Sequence, residues 1–198
     1  MSKDNTETEV KIKVRDLKTV EDKLRAAGAT LKAERVREYD VRYDDAENTL
    51  TSSARVLRLR QDSRVRLTYK GKGTATSGGA LTRTELEVTI SDFDTMGLIL
   101  SELGYHVAWI YEKYRTTYEV NDCEVVLDEM PFGPFIEVEG DDAGINKTLT
   151  ALGLSDAPRI HESYSALFFR IKDRLRLPFR DLTFDNFKGI VVPDAMFK

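Results

Sequence analysis

The chain of 198 residues is poor in the side chains that many site chemistries require. One cysteine, Cys123, and two histidines, His106 and His161, exclude a disulfide scaffold and a Cys/His zinc cluster, and they imply a reducing compartment. No window approaches the ~18 apolar residues of a spanning helix. The stretch from Met1 to Val10 is charged where a signal peptide would be apolar, so a cytoplasmic location is expected. A large excess of one charge sign is also lacking. Thirty Lys+Arg against 34 Asp+Glu leave a net charge of −4, which argues against a nucleic-acid coat or a polybasic membrane binder while allowing bases to gather locally.

What the chain does have is patterning. Three segments open at an aspartate and close at a glycine: Asp16 to Gly28, Asp92 to Gly104 and Asp141 to Gly153. Apolar residues recur in them at helical spacing, as in Leu17, Val20 and Leu24. Aspartate is a good N-cap and glycine a good residue just past a helix end, so three helices are predicted. A fourth is predicted from about Arg159 to Arg176, with Tyr164, Leu167, Phe168, Ile171 and Leu175 on one face.

Between the helices the period is two, and the polar partner is unusually often charged. Glu7, Glu9, Lys11 and Lys13 alternate with Val10, Ile12 and Val14; Arg58 and Arg60 with Leu57 and Leu59; Arg66, Thr68 and Lys70 with Val65, Leu67 and Tyr69. Arg83, Glu85 and Glu87 do the same, as do Lys113 with Arg115, then Asp128, then Glu137 with Glu139. This predicts an antiparallel, strand-rich protein. A weak repeat of about 75 residues supports it: Glu7-Thr-Glu9, the Asp16 helix and a strand with Tyr39 and Tyr43 match Glu85-Leu-Glu87, the Asp92 helix and a strand with Tyr114 and Tyr118.

A single charged strand face ordinarily meets water. With seven or eight such strands and only three or four helices to cover an apolar face, a different arrangement is expected: an α+β, mainly β fold, with a closed antiparallel eight-stranded barrel, helices packed outside and charges inside. A crowded set of both signs suits a ligand that is also both, a polyphosphate carrying a divalent cation. Arginine forks grip phosphate oxygens, and hard cations take carboxylates plus phosphates.

The same residues carry a resemblance. Glu7-Thr-Glu9-Val-Lys11 resembles the E-x-E-x-K motif of the CYTH superfamily, the triphosphate tunnel metalloenzymes. Leu57-Arg58-Leu59-Arg60, Thr68-Tyr69-Lys70-Gly71, Arg83-Thr-Glu85-Leu-Glu87, Lys113-Tyr-Arg115, Leu127-Asp128 and Phe135-Ile-Glu137-Val-Glu139 follow in that family's order, with Ser163-Tyr164 in the closing helix. The class IV adenylyl cyclase branch is the most similar, although it usually has glutamine and tyrosine where Glu38 and Arg42 stand.

The resemblance implies a metal-dependent enzyme converting ATP to cyclic AMP and pyrophosphate. Thiamine, inorganic or nucleoside triphosphate hydrolysis is the alternative, and a non-catalytic polyphosphate or nucleotide-binding module a third. It implies Glu7, Glu9, Asp128, Glu137 and Glu139 as ligands of Mg²⁺ or Mn²⁺. Lys11, Arg58, Arg60, Lys70, Lys113 and Arg115 become phosphate clamps, and Glu7, Glu9 and Lys11 stand closest to the chemistry. Glu85 and Glu87 either join the metal ligands or, as the better reading, support the site by pairing with Arg58 and Arg115; Arg66 and Arg83 are expected to be solvated, and Glu112 falls on the opposite parity. The partners expected are a small-molecule triphosphate and at most a second copy of the chain, with no nucleic acid or membrane.

Residues 1–176 form the expected tunnel domain and 177–198 an extension of unassigned role. Four phenylalanines make that extension too aromatic for a disordered tail, so it should pack, yet be dispensable for chemistry. Other signals are discounted. Lys70-Gly71-Lys72-Gly73 with Ser77-Gly78-Gly79 lacks the Walker spacing and reads as a hairpin loop at a tunnel mouth. His106 and His161 read as surface or helix-end residues, Cys123 as buried and inert, and Trp109 with tyrosines 39, 43, 114 and 118 as packing residues.

Overall fold

The computed structural model describes residues 8–72, 74–75, 81–82 and 84–197. Its helices begin where local chemistry puts them. The carboxylate of Asp16 accepts the backbone N–H groups of Lys18 and Thr19 and starts α1 (Leu17–Ala26); Asp92 caps α3 (Phe93–Glu102) through Thr95, and Asp141 caps α4 (Asp142–Leu152) through Gly144. Each ends at a glycine in the left-handed region, Gly28, Gly104 and Gly153 at φ +80°, +89° and +68°, where a side chain would strain the turn. The fourth helix, α5 (Tyr164–Leu175), starts later than predicted because Ser163 caps it through Ala166. Residues Arg159–Ile160 instead form a short strand, β11. Two short elements had no periodic signal: α2 (Thr49–Ser52) and a 3₁₀ turn at Asp194–Phe197.

The remaining strands are β1 (Glu9–Lys13), β2 (Thr30–Asp44), β3 (Val56–Gln61), β4 (Val65–Lys70), β5 (Thr74–Ala75), β6 (Leu81–Thr82), β7 (Glu85–Ile90), β8 (His106–Val120), β9 (Cys123–Met130) and β10 (Gly133–Glu139). The chain divides into two compact units, residues 38–112 and residues 8–37 with 113–197; the fifteen-residue strands β2 and β8 belong partly to each. In the first unit the ladders run β2-β3-β4-β7, and in the second β11-β1-β10-β9-β8, with antiparallel pairing in every register given. The architecture is mainly antiparallel β with several helices. Neither run of ladders returns to its own first strand, so the hydrogen bonds of the described residues show open ladders and not a closed barrel.

In the second unit, alternation sorts each strand cleanly. Val10 and Ile12 of β1, Val125 and Leu127 of β9, and Ile136 and Val138 of β10 turn to one face, where Val20 and Leu24 of α1 and Ile145, Leu149 and Leu152 of α4 complete a buried cluster. Each fully buried side chain of this kind stabilises by about 1.5–3 kcal/mol. The other face of the same strands carries Glu9, Lys11, Asp128, Glu137 and Glu139. α5 does not join that cluster: its Tyr164 ring lies edge-on to Phe135, at 5.3 Å between centroids, on the charged face.

The last residues pack from the same side. Leu182 and Phe187 are buried, and Phe197 lies 5.6 Å from Phe135 and 6.0 Å from Phe132 between ring centroids. In the first unit, Val41, Tyr43, Leu59 and Leu100 form the core with Phe93 and Met96 of α3, which leaves Glu38, Asp40, Arg42, Arg58 and Arg60 on the opposite parity. β5 and β6 pair as a two-residue ladder, Thr74 with Thr82 and Ala75 with Leu81; the loop between them, with its glycines, lies outside the described residues.

Candidate functional site

The charged face of the second unit is built on β1, β8, β9 and β10. Asp128 is removed from solvent entirely, yet its oxygens are filled: Arg115 donates through Nε to Oδ1 at 2.7 Å and through Nη2 to Oδ2 at 2.5 Å, Lys113 reaches Oδ2 at 3.2 Å, and the Tyr164 hydroxyl donates to it at 3.0 Å. Burial would raise the Asp128 pKa; the charges of Lys113 and Arg115 and the hydrogen bonds from Arg115 and Tyr164 outweigh it and hold the carboxyl at about 2. The Tyr164 hydroxyl is pushed up by burial and by Asp128, so it stays a donor.

Arg115 also reaches Glu137 at 2.7 Å, and Lys11 lies 3.3 Å from Glu137 and 3.9 Å from Glu9. The Lys11 ammonium donates to the Glu162 carbonyl at 3.1 Å and sits 4.6 Å from the centre of the Tyr164 ring. Three bases thus stand against Asp128 and Glu137, with Lys11 and Lys113 almost wholly buried. Glu9 and Glu139 occupy directly opposite positions on β1 and β10, next to the Lys11–Glu137 pair.

The first unit carries a separate charged cluster. Arg60 donates through Nε to Asp40 at 2.7 Å and pairs with Glu38 at 2.9 Å; Arg58 stands 3.5 Å from Asp40 and donates weakly, at 3.4 Å, to the Tyr111 hydroxyl and to Thr68. Burial works against the Arg60 charge, but Asp40 and Glu38 prevail and raise its pKa. Lys70 pairs with Glu85 at 2.8 Å, and Glu87 accepts from Thr68 at 3.0 Å and lies 3.7 Å from Arg66.

Most of the predicted residues therefore fall on charged faces, with several corrections. Glu85 and Glu87, expected in support beside Arg58 and Arg115, meet Lys70 (Glu85) and Thr68 with Arg66 (Glu87) within the first unit. Arg66, expected in water, is held by Asp62 and mostly buried. Trp109, read as a packing residue, is buried and packs by stacking at 4.8 Å on Tyr111, whose hydroxyl meets Arg58 of the charged cluster. Glu7 and Arg83 lie outside the described residues. Asp40, Tyr111 and Tyr164 were not among the expected site residues. The alternation of Glu38, Asp40 and Arg42 along β2 was the available signal, masked by the tyrosines that flank it. His106 and His161 are exposed, and burial raises the pKa of the Cys123 thiol, as suits surface histidines and an inert cysteine.

Residues 5–159 match the CYTH domain family. The chain belongs to this family. Within it, a protein of Methanocaldococcus jannaschii provisionally named an adenylate cyclase is 28% identical over 173 residues, covering 81% of this chain and 97% of the relative. Among solved structures, a provisionally named adenylate cyclase of Vibrio parahaemolyticus superposes with a TM-score of 0.64 at 23% identity, covering 83% of this chain and 98% of that one. The provisionally named adenylyl cyclase of Hippeastrum, reported with a dominant triphosphatase activity, gives 0.57 at 19% identity and covers 82% of this chain and 95% of that one. The last two likenesses speak for the CYTH fold.

Among the described residues, no three His, Cys, Asp or Glu side chains are grouped as a metal-ligand set. Carboxylate oxygens are the donor type that hard divalent cations take. Glu9, Glu137 and Glu139 lie on one face of adjacent strands; of these, Glu137 already sets one oxygen 3.3 Å from Lys11 and the other 2.7 Å from Arg115. Asp128 has both oxygens engaged by the bases it orients. No helix among the described residues is long and apolar enough to cross a membrane.

Proposed function

We propose that this CYTH protein is a metal-dependent enzyme acting on a triphosphate, with conversion of ATP to cyclic AMP and pyrophosphate as its reaction. The observation that carries the reading is the trio of buried Lys11, buried Lys113 and half-buried Arg115, aligned by Asp128 and Glu137. Buried bases held by carboxylates at fixed geometry suit phosphate oxygens, because transfer at phosphorus depends mainly on positioning and on neutralising developing charge. Lys11 and Lys113 act as point charges and Arg115 as a fork; Arg58, Arg60 and Lys70 serve the same ligand class. Asp128 keeps Arg115 and Lys113 straight, and Tyr164 keeps Asp128 in place.

Glu9, Glu137 and Glu139, with Glu7, would hold Mg²⁺ or Mn²⁺, which supplies charge neutralisation and activates the attacking oxygen when bound. A closed barrel around the charged faces and a homodimer belong to the same proposal, the latter drawing on exposed Leu98, Ile99 and Leu103 of α3. Hydrolysis of a triphosphate is a second reading, favoured by the dominant triphosphatase activity of the Hippeastrum fold relative.

The test is a panel of ATP, thiamine triphosphate and inorganic triphosphate with Mg²⁺ or Mn²⁺, resolved by chromatography. Cyclic AMP with pyrophosphate is expected from ATP. Orthophosphate from any of the three would favour hydrolysis, and silence with both metals would refute an enzyme.

A further inference from the structure

In the first unit, β2 places Arg42 directly opposite Arg58 on β3, in the register that sets Asp40 opposite Arg60. Glu38 and Asp40 hold Arg60, and Asp40 also faces Arg58; both of these Asp40 contacts use Oδ1, and its Oδ2 is buried without a hydrogen-bond partner among the described residues. Arg42 has no hydrogen bond or ion pair among the described residues. Asp44, two residues on, is buried and accepts the backbone N–H groups of Asp45, Leu50 and Thr51, so its oxygens are turned to α2. What Arg42 does have is an aromatic wall. Its guanidinium carbon lies 5.8 Å from the centre of the Trp109 ring, and Trp109 is stacked on Tyr111, whose hydroxyl accepts from Arg58.

Of the three guanidiniums, Arg42 alone has no carboxylate within ion-pair distance among the described residues. Like charges directly opposite across a ladder repel, and a guanidinium taken from water without a partner is costly. Burial and the neighbouring Arg58 charge both lower the Arg42 pKa, although Tyr111 and Asp44 offset part of this. An oxyanion placed between the two forks would satisfy both, since arginine donors match tetrahedral oxyanions and stack on aromatic faces at the same time.

We propose that Arg42 and Arg58 form an oxyanion subsite, walled by Trp109 and Tyr111, which binds a phosphoryl group of the substrate and makes Arg42 a residue that selects for anionic charge. The assignment of the ligand as substrate rests on the triphosphate reading above; the anion site itself rests on the geometry of the two arginines.

The experiment compares wild type, Arg42→Gln and Arg42→Lys in two measurements. Titration calorimetry with inorganic triphosphate should show affinity falling at least tenfold in Arg42→Gln, with Arg42→Lys in between because an ammonium keeps the charge and loses the fork. Thermal melts without ligand should show Arg42→Gln equal to or above wild type, because it removes a repulsion. A residue that merely packs on Trp109 would do the reverse, lowering the melting temperature and leaving affinity unchanged, and that result overturns the subsite. If wild type ignores triphosphate but is stabilised by inorganic phosphate in an Arg42-dependent way, the substrate reading falls and the anion site stands. If it responds to neither anion, both fall.

Discussion

An aspartate with no contact to water persists as an anion only where donors replace the water, and Asp128 has Lys113, Arg115 and Tyr164 for that purpose. Its carboxyl is held at about 2 against an ordinary 3.8. A depressed native pKa means the stabilisation is complete above the unfolded value and is lost as pH falls from near 4 through 2, amounting to about 2 kcal/mol. Asp128→Asn should therefore flatten the acid limb of the stability curve in that window. At pH 7 it should destabilise the protein by about 1.5–3 kcal/mol, because buried Lys113 loses the carboxylate 3.2 Å away and Arg115 loses Asp128 while keeping Glu137. Denaturant melts from pH 2 to 7 check both; an unchanged acid limb would mean that the carboxylate is not carrying the bases.

Glu9 differs, being about half exposed and only 3.9 Å from the Lys11 ammonium. Glu9→Gln should leave stability within about 0.5 kcal/mol of wild type, as exposed pairs do, or raise it by easing repulsion from Glu139. Turnover should be abolished if Glu9 holds metal. Wild-type rate at ordinary metal concentration would remove it from the ligand set.

At the scale of elements, α4 shows how a local rule is overridden by packing. Alanine is ordinarily better than glycine within a helix by about 1 kcal/mol. A Cβ on Gly144, however, would stand 2.7 Å from the Cys123 sulfur and 2.8 Å from the Asn121 carbonyl oxygen. Those atoms belong to the β8–β9 turn, where Asn121 and Asp122 both adopt positive φ, 53° and 59°, in a two-residue hairpin whose backbone has little room to move. Gly144→Ala is accordingly expected to cost about 1–3 kcal/mol, the range for overpacking, with the opposite sign to propensity. A melting temperature at or above wild type would show that the turn yields.

The same contrast explains what was legible in the sequence. Asp16, Asp92 and Asp141 could be placed as caps because a capping carboxylate binds N–H groups two or three residues away. The parity of Lys11, Arg58, Asp128 and Glu137 was legible because a strand alternates whatever its partners. Which acid meets which base was not, since Asp128 finds Tyr164 thirty-six residues on and Asp40 finds Arg60 twenty residues on, through register alone.

For the molecule as a whole, the end of the chain packs, as its four phenylalanines led one to expect, and where it packs is what the sequence did not show. The family match stops at residue 159, and the residues after 176 were expected to be dispensable for chemistry. In the structure they lie against the charged face of the second unit. Phe197 packs on Phe132 and Phe135, Phe135 meets the Tyr164 ring, and Tyr164 holds Asp128. Lys13 pairs with Asp194 at 2.8 Å, and Arg170 donates to the Met196 carbonyl at 2.6 Å.

Asp194 is largely exposed, so Asp194→Ala should change stability by under about 1 kcal/mol. Ending the chain at Arg176 removes buried Leu182, Phe187 and Phe197 together, at about 1.5–3 kcal/mol each, a sum comparable with the whole stability of an ordinary domain. The milder Phe197→Ala should cost about 3 kcal/mol and lower the melting temperature by roughly 6–12 °C. Because the lost ring supports Phe135 and through it Tyr164, this variant should also narrow the difference in acid stability between itself and Asp128→Asn. A control at exposed Phe169 should do neither. If Phe197→Ala melts lower but keeps the full acid limb of wild type, the chain end supports the fold without reaching the charged cluster.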